Sequence, residues 1–209
     1  MSKTHTIITI GRQFGSGGRE IGKRLADELG IEFYDKELLS RAAKDSKICK
    51  ELFETHDEKP TNSFLYSLVM DTYSMGFASG SVNEMPLNHK IFLAQFDAIK
   101  KIAEEGPCVL VGRCADYIFR DHRNVLNIYI YAPVDARYKN CVEVLKMKPE
   151  EATKMIYKVD KARTAYHKRY AKYAPGDPDS KQIMIDSSML GVRGTAEILA
   201  EIVQKRFGL

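Results

Sequence analysis

Apolar and polar positions alternate in segments that predict strands followed by helices. Short β-branched or continuous apolar runs indicate strands at 6–10, 31–34, 108–112, 125–132 and 182–186. Apolar residues at helical spacing predict a helix from Arg19 to a stop at Gly30, a helix capped by Asp35 that runs through Ala43, and helices over 88–104, 134–146, 149–173 and 194–207. Strands that alternate with helices indicate an α/β fold with a mainly parallel sheet.

Residues 50–90 carry a weaker pattern. A cap at Thr61 or Asn62 predicts a helix bearing apolar residues between Phe64 and Thr72, and the Gly, Ser, Asn and Pro residues of 76–86 predict a loop. The aromatic residues of 64–77 are more typical of a core than of a base-stacking surface. A contact in a homo-oligomer is the other interpretation.

Composition limits the class of protein. The 209 residues are 44% hydrophobic and 29% charged, as expected of a folded chain. No apolar run approaches the roughly 20 residues that span a bilayer, and the first residues show no signal peptide. The four cysteines (Cys49, Cys108, Cys114 and Cys141) form no Cys-x-x-Cys pair, which argues against a disulfide framework or a zinc site. We therefore expect a cytoplasmic protein with no membrane partner.

Charge is concentrated in one segment. The net charge of +4 is too small to indicate a nucleic-acid binder. Residues 146–172 contain nine Lys or Arg against three acids, so this window carries +6 and the rest of the chain −2. A basic segment on a slightly acidic body predicts a local anion site, and a solvated basic face is the alternative.

A glycine-rich segment follows the first strand. Four of the eight residues 11–18 are glycine, and a helix comes directly after them. Backbone N–H groups that turn inward at glycines, next to a helix N-terminus, form a phosphate cradle. We expect this cradle at Gly15, Ser16, Gly17, Gly18 and Arg19. A turn that merely connects strand and helix is the other interpretation.

The standard P-loop pattern Gly-x-x-x-x-Gly-Lys-Ser/Thr fits this segment only in part. Aligned on the strand, Arg12 stands at the first glycine, Gly17 at the second and Gly18 at the lysine. Arg12, Arg19 and Lys23 are candidates to replace that lysine. Glu20 lies near the expected magnesium-binding hydroxyl, where a carboxylate would hold magnesium through water or complement the helix dipole.

Five motifs in this order resemble the cytidylate kinase-like family, relatives of the P-loop nucleoside monophosphate kinases. They are the segment 8–21, Phe33-Tyr34-Asp35-Lys36-Glu37-Leu38-Leu39, the strand and arginine of 109–116, Asp160-x-x-Arg163-x-x-Tyr166-His167, and Ile185-Asp186-Ser187-Ser188. The resemblance implies one domain over 1–209: a three-layer αβα sandwich with a five-stranded parallel sheet, a helical acceptor-binding insert at about 50–88 and a basic lid at about 149–180. It also implies transfer of the γ-phosphoryl group of ATP, with magnesium, to a nucleoside monophosphate.

Two further positions depart from the family. The aspartate that follows Gly-Arg in cytidylate kinases is replaced by Cys114, with Asp116 two residues further on. The lid arginine expected four residues before Asp160 falls on Ile156. The resemblance therefore implies the fold and phosphate binding but not specificity for cytidine.

The predicted lid helix carries chemistry on one face. Asp160, Arg163 and His167 are spaced to share that face, and Lys161 lies on a second, basic face. We expect Arg19, Arg113, Asp160 and Arg163 to be catalytic and Arg12, Glu20 and Lys161 to join the cradle in binding nucleotide. Tyr34, Asp35, Arg113 and Asp116 are the acceptor candidates, because Arg113 and Tyr34 end strands at the sheet edge where ligands bind.

The sequence is compatible with three functions. The first is an ATP-dependent kinase acting on a nucleotide or small phosphorylated acceptor. The second is a non-catalytic nucleotide or phosphate sensor that kept the cradle and lost the lysine. The third, a basic-helix module that binds RNA, is disfavoured because the positive charge is confined to one helix.

Overall fold

The computed structural model describes residues 5–35 and 87–209. Within them lies a five-stranded sheet of β1 (Ile7–Arg12), β2 (Glu32–Tyr34), β3 (Cys108–Val111), β4 (Val125–Tyr131) and β5 (Ile183–Asp186). The order is β2-β3-β1-β4-β5, and all four pairings are parallel. The predicted α/β class and five-stranded parallel sheet are confirmed. The helices expected between 36 and 72 and the loop of 76–86 lie outside the described residues.

The helices lie close to their predicted positions. They are α1 (Gly18–Leu29), α2 (Leu87–Glu105), α3 (Ala115–Ile118), α4 (Val134–Glu143), α5 (Pro149–Ala171) and α6 (Gly191–Phe207), with a 3₁₀ turn at Pro178–Ser180. The sequence did not predict α3, because four residues are too few to show helical periodicity. In the described ranges no helix has the length and apolar character needed to cross a membrane.

Helix α1 shows why these segments form. Ile21 and Leu25 are fully buried one turn apart, and burying each side chain contributes about 1.5–3 kcal/mol. The helix ends at Gly30, whose φ of 63° is left-handed and whose N–H bonds to the last turn. A glycine in this conformation is the usual helix stop, so the predicted boundary is confirmed.

Two apolar clusters cover the two faces of the sheet. On one face α1 and α6 pack on β1, β3 and β4 through residues such as Ile10, Leu25 and Leu199. On the other face α2 and α3 pack on the same strands through Ile99 and Ile118. The described residues therefore form the three expected αβα layers.

Helices α4 and α5 pack together near the glycine loop. Cys141 of α4 and Ala152 and Ile156 of α5 are fully buried there, with Phe14 of the loop against them. The position where the family resemblance expects a lid arginine is thus filled by a core residue, Ile156. Packing against the loop fixes α5 at the carboxyl edge of the sheet.

Candidate functional site

The glycine loop between β1 and α1 has the backbone form of an anion cradle. Gly15 and Gly17 adopt left-handed φ values of 80° and 73°, and α1 begins at Gly18. The first N–H groups of a helix have no acceptor within the helix, and Gly17 at the cap has no side chain to cover them. Ser16 turns its hydroxyl inward, donating to the carbonyl of Gln13 at 2.9 Å. The loop therefore offers backbone groups to a ligand, while the Ser16 side chain braces the turn.

Helices α4 and α5 hold the other side of the loop. Asp160 accepts a hydrogen bond from the Phe14 N–H at 2.7 Å through Oδ1 and one from Arg137 Nη1 at 2.6 Å through Oδ2. Arg137 also donates to the Phe14 carbonyl at 3.3 Å, and Asn140 donates to the Gly15 carbonyl at 2.9 Å. These bonds fix the loop conformation. They place Asp160, expected to be catalytic, as a brace behind the loop.

The side chain of Arg12 crosses two glycines. A Cβ at Gly18 would lie 2.6 Å from the Cβ of Arg12, a distance that real Cβ contacts do not show. At Gly112 a Cβ would overlap the Arg12 guanidinium group. Arg12 therefore runs from the start of α1 to the end of β3.

The turn after β3 is strained. Gly112, Arg113 and Cys114 have successive φ values of 83°, 57° and 54°, although left-handed backbone is uncommon for residues other than glycine. Each such residue costs on the order of 1–3 kcal/mol, and strain of this kind clusters at functional sites. Here it holds the Arg113 side chain, 4% exposed, with its guanidinium carbon 5.8 Å from the centre of the Tyr166 ring.

A cleft opens at the carboxyl ends of β1 and β3, and the empty space in and above it, open solvent included, is about 460 Å³. Its walls include three arginines from three elements: Arg12, Arg113 and Arg163. Arg163 of α5 donates to the Arg12 carbonyl at 3.2 Å, which ties α5 to the end of β1. Three guanidinium groups around one cleft favour an anionic ligand.

Asp116, at the start of α3, is the centre of a buried polar network. Its carboxylate accepts from Lys181 at 2.6 Å, from His167 at 3.0 Å and from the Tyr173 hydroxyl at 3.2 Å. Burial acts to raise the pKa of Asp116, but the hydrogen bonds and charges of His167 and Lys181 outweigh it and hold that pKa at about 2. Asp116 borders the cleft as an ionised group that anchors the end of α5.

His167 is held at both ring nitrogens. Nε2 faces the Asp116 carboxylate, and Nδ1 lies 2.9 Å from the Tyr173 carbonyl. Both partners are oxygens that accept hydrogen bonds, and the ring is fixed in orientation between them. His167 thus joins the end of α5 to Asp116 and to the segment that follows the helix.

Cys114 stands where the family pattern has an aspartate. It is 2% exposed and packs with Phe92 and Tyr166. Burial, with the nearby charge of Asp116, raises the pKa of this thiol far above its usual value. Cys114 is therefore neutral and apolar in character, and it lacks the charge of the family's aspartate.

Arg19, Tyr34 and Asp35 lie at the edge formed by α1 and β2. Arg19 donates from Nε to Asp35 Oδ2 at 2.7 Å, and its Nη2 lies 2.7 Å from the same oxygen. Burial, and then the charges of Glu32 and Glu105, raise the pKa of Tyr34. These residues are near one another but do not line the three-arginine cleft.

The remaining predicted residues are more exposed. Lys161 lies on the outer side of α5, and Lys23 pairs with Asp27 at 3.2 Å with 57% of its side chain exposed. Glu20 is 43% exposed, 3.9 Å from Arg19. Residues 5–35 and 87–209 contain no group of three metal-binding side chains. A magnesium ion at Glu20 would therefore depend mainly on ligand phosphates and water, as this ion commonly does.

The structure brings Arg12, Arg113, Arg163 and Asp116 together around the cleft. Sequence reasoning missed Arg137, Asn140, Tyr173 and Lys181, which hold the loop and the end of α5. Arg137 is 5% exposed on a helix of modest apolar character. Its partner lies 23 residues away, so no local pattern marks the pair.

Comparison with known proteins places this geometry in a family. The model of the cytidylate kinase-like family matches residues 7–189. No curated protein matches the chain. The family match runs through β1, the loop, the arginine turn and α5, the elements that form the cleft.

Solved structures share the fold along nearly the whole chain. A protein from Eubacterium ventriosum, described as uncharacterized, is 30% identical over 96% of this chain and 99% of that one, with a TM-score of 0.72. TT1252 from Thermus thermophilus is 16% identical over 98% and 99%, with a TM-score of 0.57. Shikimate kinase from Bacteroides thetaiotaomicron is 14% identical over 98% and 99%, with a TM-score of 0.50. The last two show the fold alone.

Proposed function

We propose, on the premise that this chain belongs to the cytidylate kinase-like family, that it transfers the γ-phosphoryl group of ATP to a small anionic acceptor such as a nucleoside monophosphate. The observation that carries the proposal is the position of Arg12, between the glycine loop at Gly18 and the cleft at Gly112. One side chain thus joins a phosphate cradle to a cleft with two further arginines. Phosphoryl transfer needs donor and acceptor anions held side by side, with their charge neutralised.

The loop is assigned to the donor. Left-handed Gly15 and Gly17 and the start of α1 present N–H groups, as a phosphate requires. The hydrogen bonds that Asp160 accepts from the Phe14 N–H and that Asn140 donates to the Gly15 carbonyl keep this backbone in place before a ligand arrives. Preorganised donors stabilise developing charge without rearrangement during the reaction. Magnesium, bound with the phosphates, would neutralise further charge there, with Glu20 within reach of its water shell.

The cleft is assigned to the acceptor. Arg113 and Arg163 face it from the β3 turn and from α5, and guanidinium groups bind phosphate or carboxylate through paired hydrogen bonds. Cys114 supplies an apolar wall where cytidylate kinases have an aspartate. We therefore propose an acceptor that carries an anionic group, with a base or ring other than cytosine. Helix α5 acts as the lid, since it bears Arg163 and is tied to the loop.

The test is a phosphoryl-transfer assay. Purified protein, ATP and magnesium are incubated with each nucleoside monophosphate, and separately with shikimate, the substrate in the name of one structural neighbour. Products are separated by chromatography. We expect one phosphorylated acceptor well above a reaction without acceptor. A protein that binds ATP and transfers to no acceptor in a wider set of phosphorylated and carboxylated compounds contradicts the kinase proposal and favours the nucleotide sensor.

Two variants locate the reaction in the cleft. Arg113→Met and Arg163→Met each remove a guanidinium group, and we expect at least about a tenfold loss of transfer, the effect of losing one hydrogen bond to a charged group. Arg206→Met, near the end of α6, removes a guanidinium outside the cleft and should leave transfer unchanged. Thermal unfolding checks that all three proteins are folded. Full activity in both cleft variants contradicts the assignment.

A further inference from the structure

Residues 12 and 18 both depart from the standard P-loop pattern, and the two departures are opposite in kind. The standard P-loop has glycine at its first position and lysine at its seventh. This chain has arginine at the first, Arg12, and glycine at the seventh, Gly18. A side chain has been gained at one position and lost at the other. Each change taken alone makes the loop look defective as a nucleotide site.

The structure explains why the two changes occur together. A Cβ at Gly18 would lie 2.6 Å from the Cβ of Arg12 and 3.0 Å from its Cγ. These Arg12 atoms are next to the backbone and cannot swing away as the end of a flexible side chain does. The two positions face each other across the loop, and only one of them has room for a side chain.

The guanidinium group of Arg12 lies beside the cleft. From Gly18 its side chain runs to Gly112, whose φ of 83° and missing Cβ leave space for the guanidinium group. There it borders the cleft with Arg113 and Arg163. A P-loop lysine reaches the β- and γ-phosphates, and a cation between cradle and cleft occupies the corresponding region. The other candidates, Arg19 and Lys23, do not line this cleft.

We infer that Arg12 is the ligand of the donor's terminal phosphates and replaces the P-loop lysine, from the opposite side of the loop. This inference rests on the proposed nucleotide binding and adds the residue that supplies the missing charge. Arginine offers a planar fork of N–H donors in place of an ammonium. On this inference the loop keeps the positive charge of the standard P-loop, but that charge comes from residue 12 in place of residue 18.

A four-protein cycle tests the inference: wild type, Arg12→Gly, Gly18→Lys and the double variant, which restores the standard pattern. The measurements are the Kd for ATP and for adenosine by calorimetry, the transfer rate and thermal unfolding. We expect Arg12→Gly to weaken ATP binding roughly 10- to 100-fold, the range for a hydrogen bond to a charged group, with little effect on adenosine, which carries no phosphate. Gly18→Lys alone should be unstable because its new Cβ meets Arg12. The double variant should recover ATP affinity at least about tenfold over Arg12→Gly.

Other outcomes overturn the inference. The inference is wrong if Arg12→Gly binds ATP with a Kd within about twofold of the wild-type value. It is also wrong if Gly18→Lys is stable and binds ATP as tightly as the double variant. If the double variant does not fold, ATP binding by Arg12→Ala is measured with methylguanidinium added to replace the lost guanidinium group. Recovered ATP affinity supports the inference, and no recovery contradicts it. Lys23→Gln is the matched control and should bind ATP normally. A wild-type protein that binds ATP without transferring phosphate refutes the kinase proposal alone, whereas one that binds no nucleotide refutes both.

Discussion

Removal of the Asp160 carboxylate tests whether the brace behind the glycine loop holds the fold. Asp160→Ala deletes the acceptor of the Phe14 N–H and the partner of Arg137. The Arg137 side chain is 6% exposed, and its Nε has no hydrogen-bond partner among the described residues. The Asp160 carboxylate is therefore the group that chiefly neutralises the buried positive charge of Arg137.

The magnitude follows from that burial. Breaking a buried ion pair by removing one partner costs about 3–5 kcal/mol. Asp160 is 26% exposed and Arg137 keeps the Phe14 carbonyl, so we reduce the expected loss of unfolding free energy to about 2–3 kcal/mol. For a chain of this size, that loss lowers Tm by about 4–12 °C. Asp160→Asn keeps an oxygen for the Phe14 N–H and should lose about half as much.

Thermal and urea unfolding of five variants provide the assay: Asp160→Ala, Asp160→Asn, Asp27→Ala, Arg137→Met and the double variant of Asp160→Ala with Arg137→Met. Asp27→Ala is the control, because its exposed pair with Lys23 on α1 contributes at most about 0.5 kcal/mol. In an Arg137→Met background, Asp160→Ala should lose about 1–3 kcal/mol less than it does alone. A loss for Asp160→Ala no larger than that of Asp27→Ala, or strict additivity with Arg137→Met, would refute the reasoning.

Three further outcomes are expected. Gly15→Ala should lose more unfolding free energy than Gly30→Ala. Both glycines have a left-handed φ, which costs an alanine about 1–2 kcal/mol, but only at Gly15 would the new Cβ collide with a neighbouring backbone oxygen, at 2.8 Å. Urea unfolding of both variants measures the two losses, and equal losses would contradict the collision. The pKa of Asp116, about 2 against an ordinary 3.8, adds stability that is complete above pH 3.8 and lost as the pH falls towards 2. Asp116→Asn should therefore flatten the pH dependence of unfolding over that interval, and a slope identical to wild type would argue against the lowered pKa. Burial raises the pKa of the Cys108 thiol to about 12, so iodoacetamide at pH 8 should modify Cys108 only after the protein is denatured. Peptide mass spectrometry measures the modification, and rapid modification of Cys108 in the folded protein would disprove its burial.

The sequence predicted the described strands and long helices because their periodicity and stop signals are local. Gly30 shows this, since a glycine after an amphipathic run is a helix stop wherever it occurs. The segment over 149–173 was predicted as one helix for the same reason. Its buried face was predicted less well, because Ile156 is covered by α4, a contact that helical spacing within α5 cannot reveal.

The candidate site depends more on distant contacts. Glycine spacing predicted the loop between β1 and α1, and the end of an apolar strand predicted that Arg113 lies at the carboxyl edge of the sheet. The choice among Arg12, Arg19 and Lys23 stayed open in the sequence, because it turns on which side chain faces Gly18 in three dimensions. The brace formed by Arg137 and Asp160 was likewise hidden, because it joins two helices that pack only in the folded chain.

The position of β1 in the sheet has a consequence for biosynthesis. This strand precedes β3 and β4 in the chain and leaves the ribosome before them, yet it lies in the middle of the sheet and pairs with both. Ile7 is in register with Cys108 and with Val125. At 5–20 residues per second, roughly 6 to 24 s of translation separate Ile7 from Val125. One edge of this apolar strand has no partner until β3 is made, and the other has none until β4 is made. This chain should therefore depend on chaperones or on slow collapse more than a protein whose early strands form hairpins.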